Sequence, residues 1–470
     1  MIDWSDVVAP LVVAGGGILA LLLDAFGTRR SWRRSGIVSF LALVAALVVL
    51  LSPSRPDGLQ QALGVLVVGG TLLVVLAAAV MEHEDSMPPG ELHFLLLVSA
   101  SGGLSMVLAR DLATLVVSLE LLSLPSIALV GLRRGDVDAA RGAWTFFVVS
   151  VVSTAVTLLG IAFVYGVSGT LVYDELALRL SASRAPAEVV GAAVVLTVVG
   201  LLFKLGAVPL HLWVPGTYRG ASVPVAAYLS VVSKAGAAGA LVLLLPDAFG
   251  LQGESWRPVV AVAAALTLVV GNLGAWVQDD VVGLLAWSSI AQAGFVLAPM
   301  AVLTTPGVAS APIRYLAVYA LANLVAFGVV GLVRRRWGGT SMAHVAGLVR
   351  VEPWTGSALV LALLTLAGFP PAVIGLVAKY VVLEPLLDPR FGTPYAWLAV
   401  VVALNVVVGL VYYLRLVAVV VGPVGPRLAG STVSPSPPRA VVVARTAVLV
   451  PAAALVVTSV QPDLLLSWIP

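Results

Sequence analysis

Leu202-Phe203-Lys204-Leu205-Gly206-Ala207-Val208-Pro209-Leu210-His211 lies within one apolar run, and Ala367-Gly368-Phe369-Pro370-Pro371-Ala372-Val373-Ile374-Gly375-Leu376-Val377-Ala378-Lys379 lies within another. Each run is long enough to cross the roughly 30 Å hydrocarbon core of a bilayer, which takes about 20 apolar residues in a helix. Each also carries glycine and proline in its middle, where proline removes a backbone hydrogen bond and clashes with the preceding turn. The expectation is two membrane helices that break at depth, an arrangement tolerated only where protein or water covers the freed backbone. Both breaks adjoin a lysine.

The rest of the chain agrees with this reading. Of its 470 residues 60% are hydrophobic and only 10% charged, against roughly 25% charged in a soluble domain. Apolar runs bounded by charge, Gly and Pro predict helices over 7–23, 36–51, 62–80, 92–109, 112–132, 143–165, 189–216, 224–245, 258–276, 281–303, 313–333, 356–386, 393–421 and 440–460, fourteen spans of an all-α integral membrane protein. The two breaks fall in the fourth helix of two consecutive five-helix blocks. Five is odd, so the second block enters from the opposite face, as in the inverted repeats of transporters. The division expected is an N-terminal three-helix segment (1–91), two five-helix repeats (92–250 and 251–421) and a C-terminal helix (422–470).

Cysteine is absent, which excludes thiolate metal sites, iron–sulfur ligation and cysteine nucleophiles. Redox chemistry is therefore expected on partners, with no catalytic, cofactor or metal site in this chain. The first run, Val7 to Leu23, lacks a basic flank and a small-residue cleavage site, so it reads as a retained helix. Arginine in the loops divides fourteen to seven between the two faces. The positive-inside rule makes the richer face cytoplasmic and both termini external. These charges report topology and not nucleic-acid binding.

An ionisable side chain at the bilayer centre costs at least roughly 2.5–3.5 kcal/mol on insertion scales and by default marks an ion pathway. Glu120, Lys204, Lys234 and Lys379 are such residues, and Lys204, Lys234 and Lys379 are the only lysines of the chain. Every exposed basic position uses arginine, which is effectively never deprotonated, whereas a desolvated lysine can release its proton. The pattern points to proton carriers, set against static buried pairs or polar helix glue. His211, just after the first break, either relays protons or binds freed carbonyls. His83, His93 and His344 read as solvated loop residues, and Arg415 as snorkelling to the interface or binding an anionic headgroup. Asp111 reads as the N-cap of the fifth helix, and Glu384 and Asp388 as a pathway mouth or a wet rim.

These residues sit in familiar surroundings. Arg110-Asp111-Leu112-Ala113-Thr114, Leu119-Glu120-Leu121-Leu122-Ser123-Leu124, Phe203-Lys204, Pro209-Leu210-His211-Leu212-Trp213-Val214-Pro215 and Leu229-Ser230-Val231-Val232-Ser233-Lys234 are followed by Leu284-Leu285-Ala286-Trp287-Ser288-Ser289-Ile290-Ala291, Leu366-Ala367-Gly368-Phe369-Pro370-Pro371 and Tyr412-Tyr413-Leu414-Arg415. In this order, over roughly residues 92–416, the chain resembles the antiporter-like membrane subunits of bacterial NADH–quinone oxidoreductase, respiratory complex I. Lysine at 379, where subunit M typically has Glu, and the want of the long lateral helix of subunit L point to the subunit N branch, the counterpart of mitochondrial subunit 2.

The resemblance implies that Glu120 and Lys204 form the pair of a first half-channel, that Lys234 is the central relay and that Lys379 is the lysine of a second half-channel. It implies a proton-translocating subunit driven by quinone reduction, embedded in a bacterial inner membrane among the membrane-arm and peripheral subunits. NADH, flavin, iron–sulfur clusters and quinone would belong to those partners. The alternatives are a subunit of a cation/proton antiporter or membrane-bound hydrogenase, or a scaffold with weakened pumping. Departures from the family pattern are Thr145 for a lysine, Val282-Gly283 for a Lys-Arg pair, Gln292 for a histidine, and one extra residue between Pro371 and Gly375. They concentrate on the link between Lys234 and Lys379.

Overall fold

The computed structural model describes residues 4–27, 32–52, 58–78, 87–304, 307–388, 394–429 and 438–469. Arg29, Arg30, Arg55, His83 and Arg390, all used in the sequence reading, lie outside them. The helices in order are α1 (Trp4–Ala25), α2 (Trp32–Leu50), α3 (Gly58–Ala77), α4 (Pro89–Leu108), α5 (Leu112–Val130), α6 (Val137–Ser168), α7 (Tyr173–Ser181), α8 (Ala187–Leu205), α9 (Trp213–Gly220) and α10 (Val223–Phe249). They continue with α11 (Gly253–Trp276), α12 (Val281–Leu297), α13 (Ser310–Trp337), α14 (Leu348–Val351), α15 (Pro353–Ala367), α16 (Val373–Leu387), α17 (Ala396–Val421), α18 (Pro426–Ala429), α19 (Pro438–Val460) and α20 (Asp463–Leu466).

Among the described residues twelve stretches are long and apolar enough to cross a membrane, or thirteen if the bent pair Met342–Val351 and Pro353–Ala367 is one span. One of the twelve, Val223–Trp276, contains both α10 and α11. The halves of the second broken helix, α15 and α16, have only 15 residues each. That is why the number differs from the fourteen expected. The nine-residue α7 was not foreseen; it is a short amphipathic piece inside what reads as a loop.

Burial sorts the helices. From Val223 to Leu245 every residue of α10 is buried, as expected of a helix that is apolar all round and enclosed by others. The runs around α12 and α13 are 94% and 89% buried, whereas α1 and α2 bury only 28% and turn the remainder outward. The core is thus α10, α12 and α13, and it carries Lys234 and Gln292.

Both breaks form where expected. α8 ends at Gly206, whose φ is +76°, and α15 ends at Gly368, whose φ is +72°. This left-handed C-cap is open to glycine at little cost. Val208–Pro209 and Pro370–Pro371 are cis. One backbone pattern occurs twice. Asp111 caps α5 through the Thr114 amide and is bridged to Val172 after α6, and Asp280 caps α12 through the Gly283 amide and is bridged to Ser341 after α13. The N-cap expectation for Asp111 is met, at 2.8 Å.

Candidate functional site

Lys204 occupies the last turn of α8 and is fully buried. The carbonyls freed by the break are taken locally: Ala207 N–H donates to Leu202 O at 2.9 Å, and Gly206 N–H and Trp213 Nε1 donate to Phe203 O at 2.8 and 3.1 Å. The Lys204 ammonium has no hydrogen-bond partner. It stands 4.9 Å from the centre of the Phe146 ring, which stacks on Trp213 at 4.2 Å. An ammonium is attracted to an aromatic face and to the negative end of its own helix dipole.

Glu120 is half-buried on α5 and accepts the Thr154 hydroxyl at 2.6 Å. Leu119 beside it packs where a side chain on Gly200 would go, one turn before Lys204. Carboxylate and ammonium therefore sit on adjoining helices, yet no ion pair within 4 Å joins them. Thr154 holds Glu120, and Phe146 lies under Lys204.

Lys234 is buried on α10, and its ammonium donates to Ser289 O of α12 at 2.5 Å. It also lies at the first break: a Cβ on Gly206 would be 3.7 Å from Lys234 Nζ. Lys379 is buried on α16, donates to Ala367 O at the broken end of α15 at 2.8 Å, and lies 5.0 Å from the Phe295 ring centre. Each break thus has a lysine directed at it from a neighbouring element.

Between Lys234 and Lys379 the structure places neutral polar groups. Gln292 Nε2 donates to Tyr413 OH at 3.0 Å, Tyr315 OH donates to Gln292 Oε1, and Tyr413 OH shares a 2.5 Å hydrogen bond with Ser288 Oγ. Tyr319 OH donates to Ser230 O at 3.0 Å, and Asn323 Nδ2 donates to Ser230 Oγ at 2.6 Å and to Tyr319 OH at 3.1 Å. A cavity of about 10 Å³ is lined by Gln292, Tyr315, Tyr319, Thr365 and Lys379 among others. That volume is about the size of one water. Sequence reasoning passed over Tyr315, Tyr319 and Asn323, although their i, i+4, i+8 spacing on an apolar helix marks one polar face.

His211 follows the first break and is 8% exposed. Its Nδ1 has no hydrogen-bond partner and its ring centre lies 5.8 Å from that of Trp287. One expectation fails. His93 is not solvated but 2% exposed, its Nδ1 bonded to Pro89 O at 2.8 Å and its ring edge-on to Trp32, because α1 and α2 wrap the first turn of α4. Arg415 is exposed, as snorkelling requires, and also pairs with the exposed Asp279 at 2.9 Å and donates to Trp276 O. His344 is half-buried, with Nδ1 2.8 Å from Ser341 Oγ, and Glu384 is exposed. Glu352, not singled out by sequence, joins three helices. It pairs with Arg336 and with Arg445, the latter at 3.1 Å, and accepts the Thr355 hydroxyl at 3.0 Å.

A family model described as "NADH:quinone oxidoreductase/Mrp antiporter, TM" matches residues 109–406. NADH-quinone oxidoreductase subunit N 2 of Streptomyces griseus subsp. griseus is 39% identical over 100% of this chain and 92% of its own length. A chain of the solved respiratory complex I from Thermus thermophilus with bound aureothin is 27% identical, covers 98% of both chains and superposes with a TM-score of 0.79. A chain of the Mrp complex from Dietzia sp. DQ12-45-1b has a TM-score of 0.77 at 22% identity, a likeness of fold.

Proposed function

Because the chain belongs to the NADH:quinone oxidoreductase/Mrp antiporter family of membrane subunits, in the subunit N branch of the NADH-quinone oxidoreductases, we propose that it translocates protons within such a complex. Quinone reduction in partner subunits supplies the drive, and Glu120, Lys204, Lys234 and Lys379 take up and release protons in turn. The carrying observation is that the three lysines are buried, and that two of them reach the breaks in α8 and α15.

The chemistry follows from desolvation. A buried ammonium is expensive unless paired, and a carboxylate brought close stabilises it. In the open arrangement Thr154 holds Glu120 and Lys204 rests on Phe146. Closing the pair favours the protonated lysine, and opening it drives the proton onward. His211, with a free ring nitrogen at the break, is the entry relay in this reading. The chain is a subunit of the translocase, with quinone and redox centres on its partners, in a bacterial inner membrane with both termini outside. The paired caps and bridges at Asp111 and Asp280 support the division into repeats 92–250 and 251–421, flanked by 1–91 and 422–470.

The test is Lys204→Ala and Glu120→Ala in the assembled complex, reconstituted into vesicles. Proton translocation and coupled quinone reduction should fall while subunit content stays normal. Unchanged pumping by fully assembled Lys204→Ala complexes would sink the reading.

A further inference from the structure

We propose that the Tyr319 hydroxyl carries the proton between Lys234 and Lys379, with Asn323 and Gln292 as positioning residues; this rests on the proton-pathway reading above. The histidine that the resemblance implies at this point is replaced by Gln292, whose amide does not titrate, and a neighbouring hydroxyl can make the link in its place. Tyr319 reaches the turn of α10 that precedes Lys234 and lines a cavity together with Lys379. Toward Lys234, its hydroxyl donates to Ser230 O at 3.0 Å, one helical turn before Lys234 and on the same face of α10. Toward Lys379, it lines the one-water cavity that Lys379 also lines.

Asn323 donates to the Tyr319 oxygen at 3.1 Å and is itself anchored by Ser230. That bond fills a lone pair of the Tyr319 oxygen, while the Tyr319 proton itself is donated to Ser230 O. Gln292 lines the same cavity and holds Tyr315 and Tyr413 by its two amide ends, which fixes part of the cavity wall. In the proposed step the Tyr319 hydroxyl turns from Ser230 O toward the cavity, its O–H bond breaks, and the oxygen takes a replacement proton from the Lys234 ammonium, whose N–H bond breaks and which is left neutral. The released proton passes through the cavity to the lone pair of deprotonated Lys379. Tyr319 is neutral before and after, and nothing is oxidised or reduced.

The experiment uses the assembled complex in proteoliposomes, with NADH–quinone turnover and a pH-sensitive dye read together. Tyr319→Phe keeps the ring and removes the hydroxyl, and is expected to abolish most proton translocation with normal subunit content. Gln292→His in the Tyr319→Phe background, which puts a titratable ring on the same cavity, is expected to restore it. Asn323→Ala should weaken translocation and serves if Tyr319→Phe fails to assemble. Wild-type translocation by Tyr319→Phe, or by Asn323→Ala where only that variant assembles, overturns the proposal. Loss without rescue by Gln292→His also overturns it, because it assigns Tyr319 a structural part. Lys204→Ala measured alongside separates the two claims. If it pumps normally the proton-pathway reading falls; if it fails to pump while Tyr319→Phe pumps, only this inference falls.

Discussion

Glycine at each break leaves the space that a lysine fills. A Cβ on Gly206 would press on Val214 at 2.9 Å and approach the Lys234 ammonium at 3.7 Å, and a Cβ on Gly368 would strike the stem of Lys379 at 2.7 and 2.9 Å. Both glycines are left-handed, a conformation that costs an L-residue roughly 1–2 kcal/mol. Gly368→Ala is therefore expected to lose about that much stability and to displace Lys379 from Ala367 O. The check is a proton-to-electron ratio that falls in complexes still assembled; an unaltered ratio with wild-type thermal stability would contradict it. At this scale the lysines were legible in the sequence because ionisable groups are rare in apolar runs. Tyr319 and Asn323 were passed over, since their spacing shows a polar face on α13 but what that face meets appears only once α10 packs against it. His93 misled because its burial comes from α1 and α2, distant in sequence.

At the scale of elements, apolar runs of membrane length fixed nearly every helix, and the Gly/Pro clusters fixed both breaks to within a few residues. What escaped was the amphipathic α7, too short to give a pattern, and the continuity of α10 into α11 through the turn Gly250–Gln252. Helix ends also follow local chemistry, as at α6, where the Asp136 carboxylate accepts the Asp138 and Ala139 amides at 2.9 and 3.0 Å and pairs with Arg133. The Ala139 amide, chiefly, holds the Asp136 carboxyl below its ordinary value, with Arg133 adding to the effect. A carboxyl depressed in the fold contributes stability above its unfolded pKa and loses it as pH falls through its folded value. Asp136→Ala should cost about 1 kcal/mol near neutral pH. Its thermal midpoint should converge on wild type once the carboxyl is protonated, and a pH-independent deficit would exclude the cap.

Across the whole molecule, α10, α12 and α13 form a buried spine, and Glu352 fastens its periphery by tying α13, α15 and α19 through Arg336 and Arg445. Glu352 is only 12% exposed in its side chain, so its loss leaves two arginines short of a partner. Glu352→Gln should lower the yield of assembled complex and its detergent stability, by about 1–3 kcal/mol, while surviving complexes keep their proton-to-electron ratio. A normal yield would show that the ion pairs contribute nothing. The family pattern announced a chain of titratable groups and left its middle thin at Gln292. Packing brings Tyr315, Tyr319 and Tyr413 to that region, and of these only Tyr413 stands in a motif quoted from the sequence. The central claim, that the buried lysines move protons, is tested most directly by the number of protons translocated per NADH in vesicles bearing Lys379→Ala complexes with full subunit content. The account predicts a ratio clearly below wild type; an unchanged ratio would contradict it.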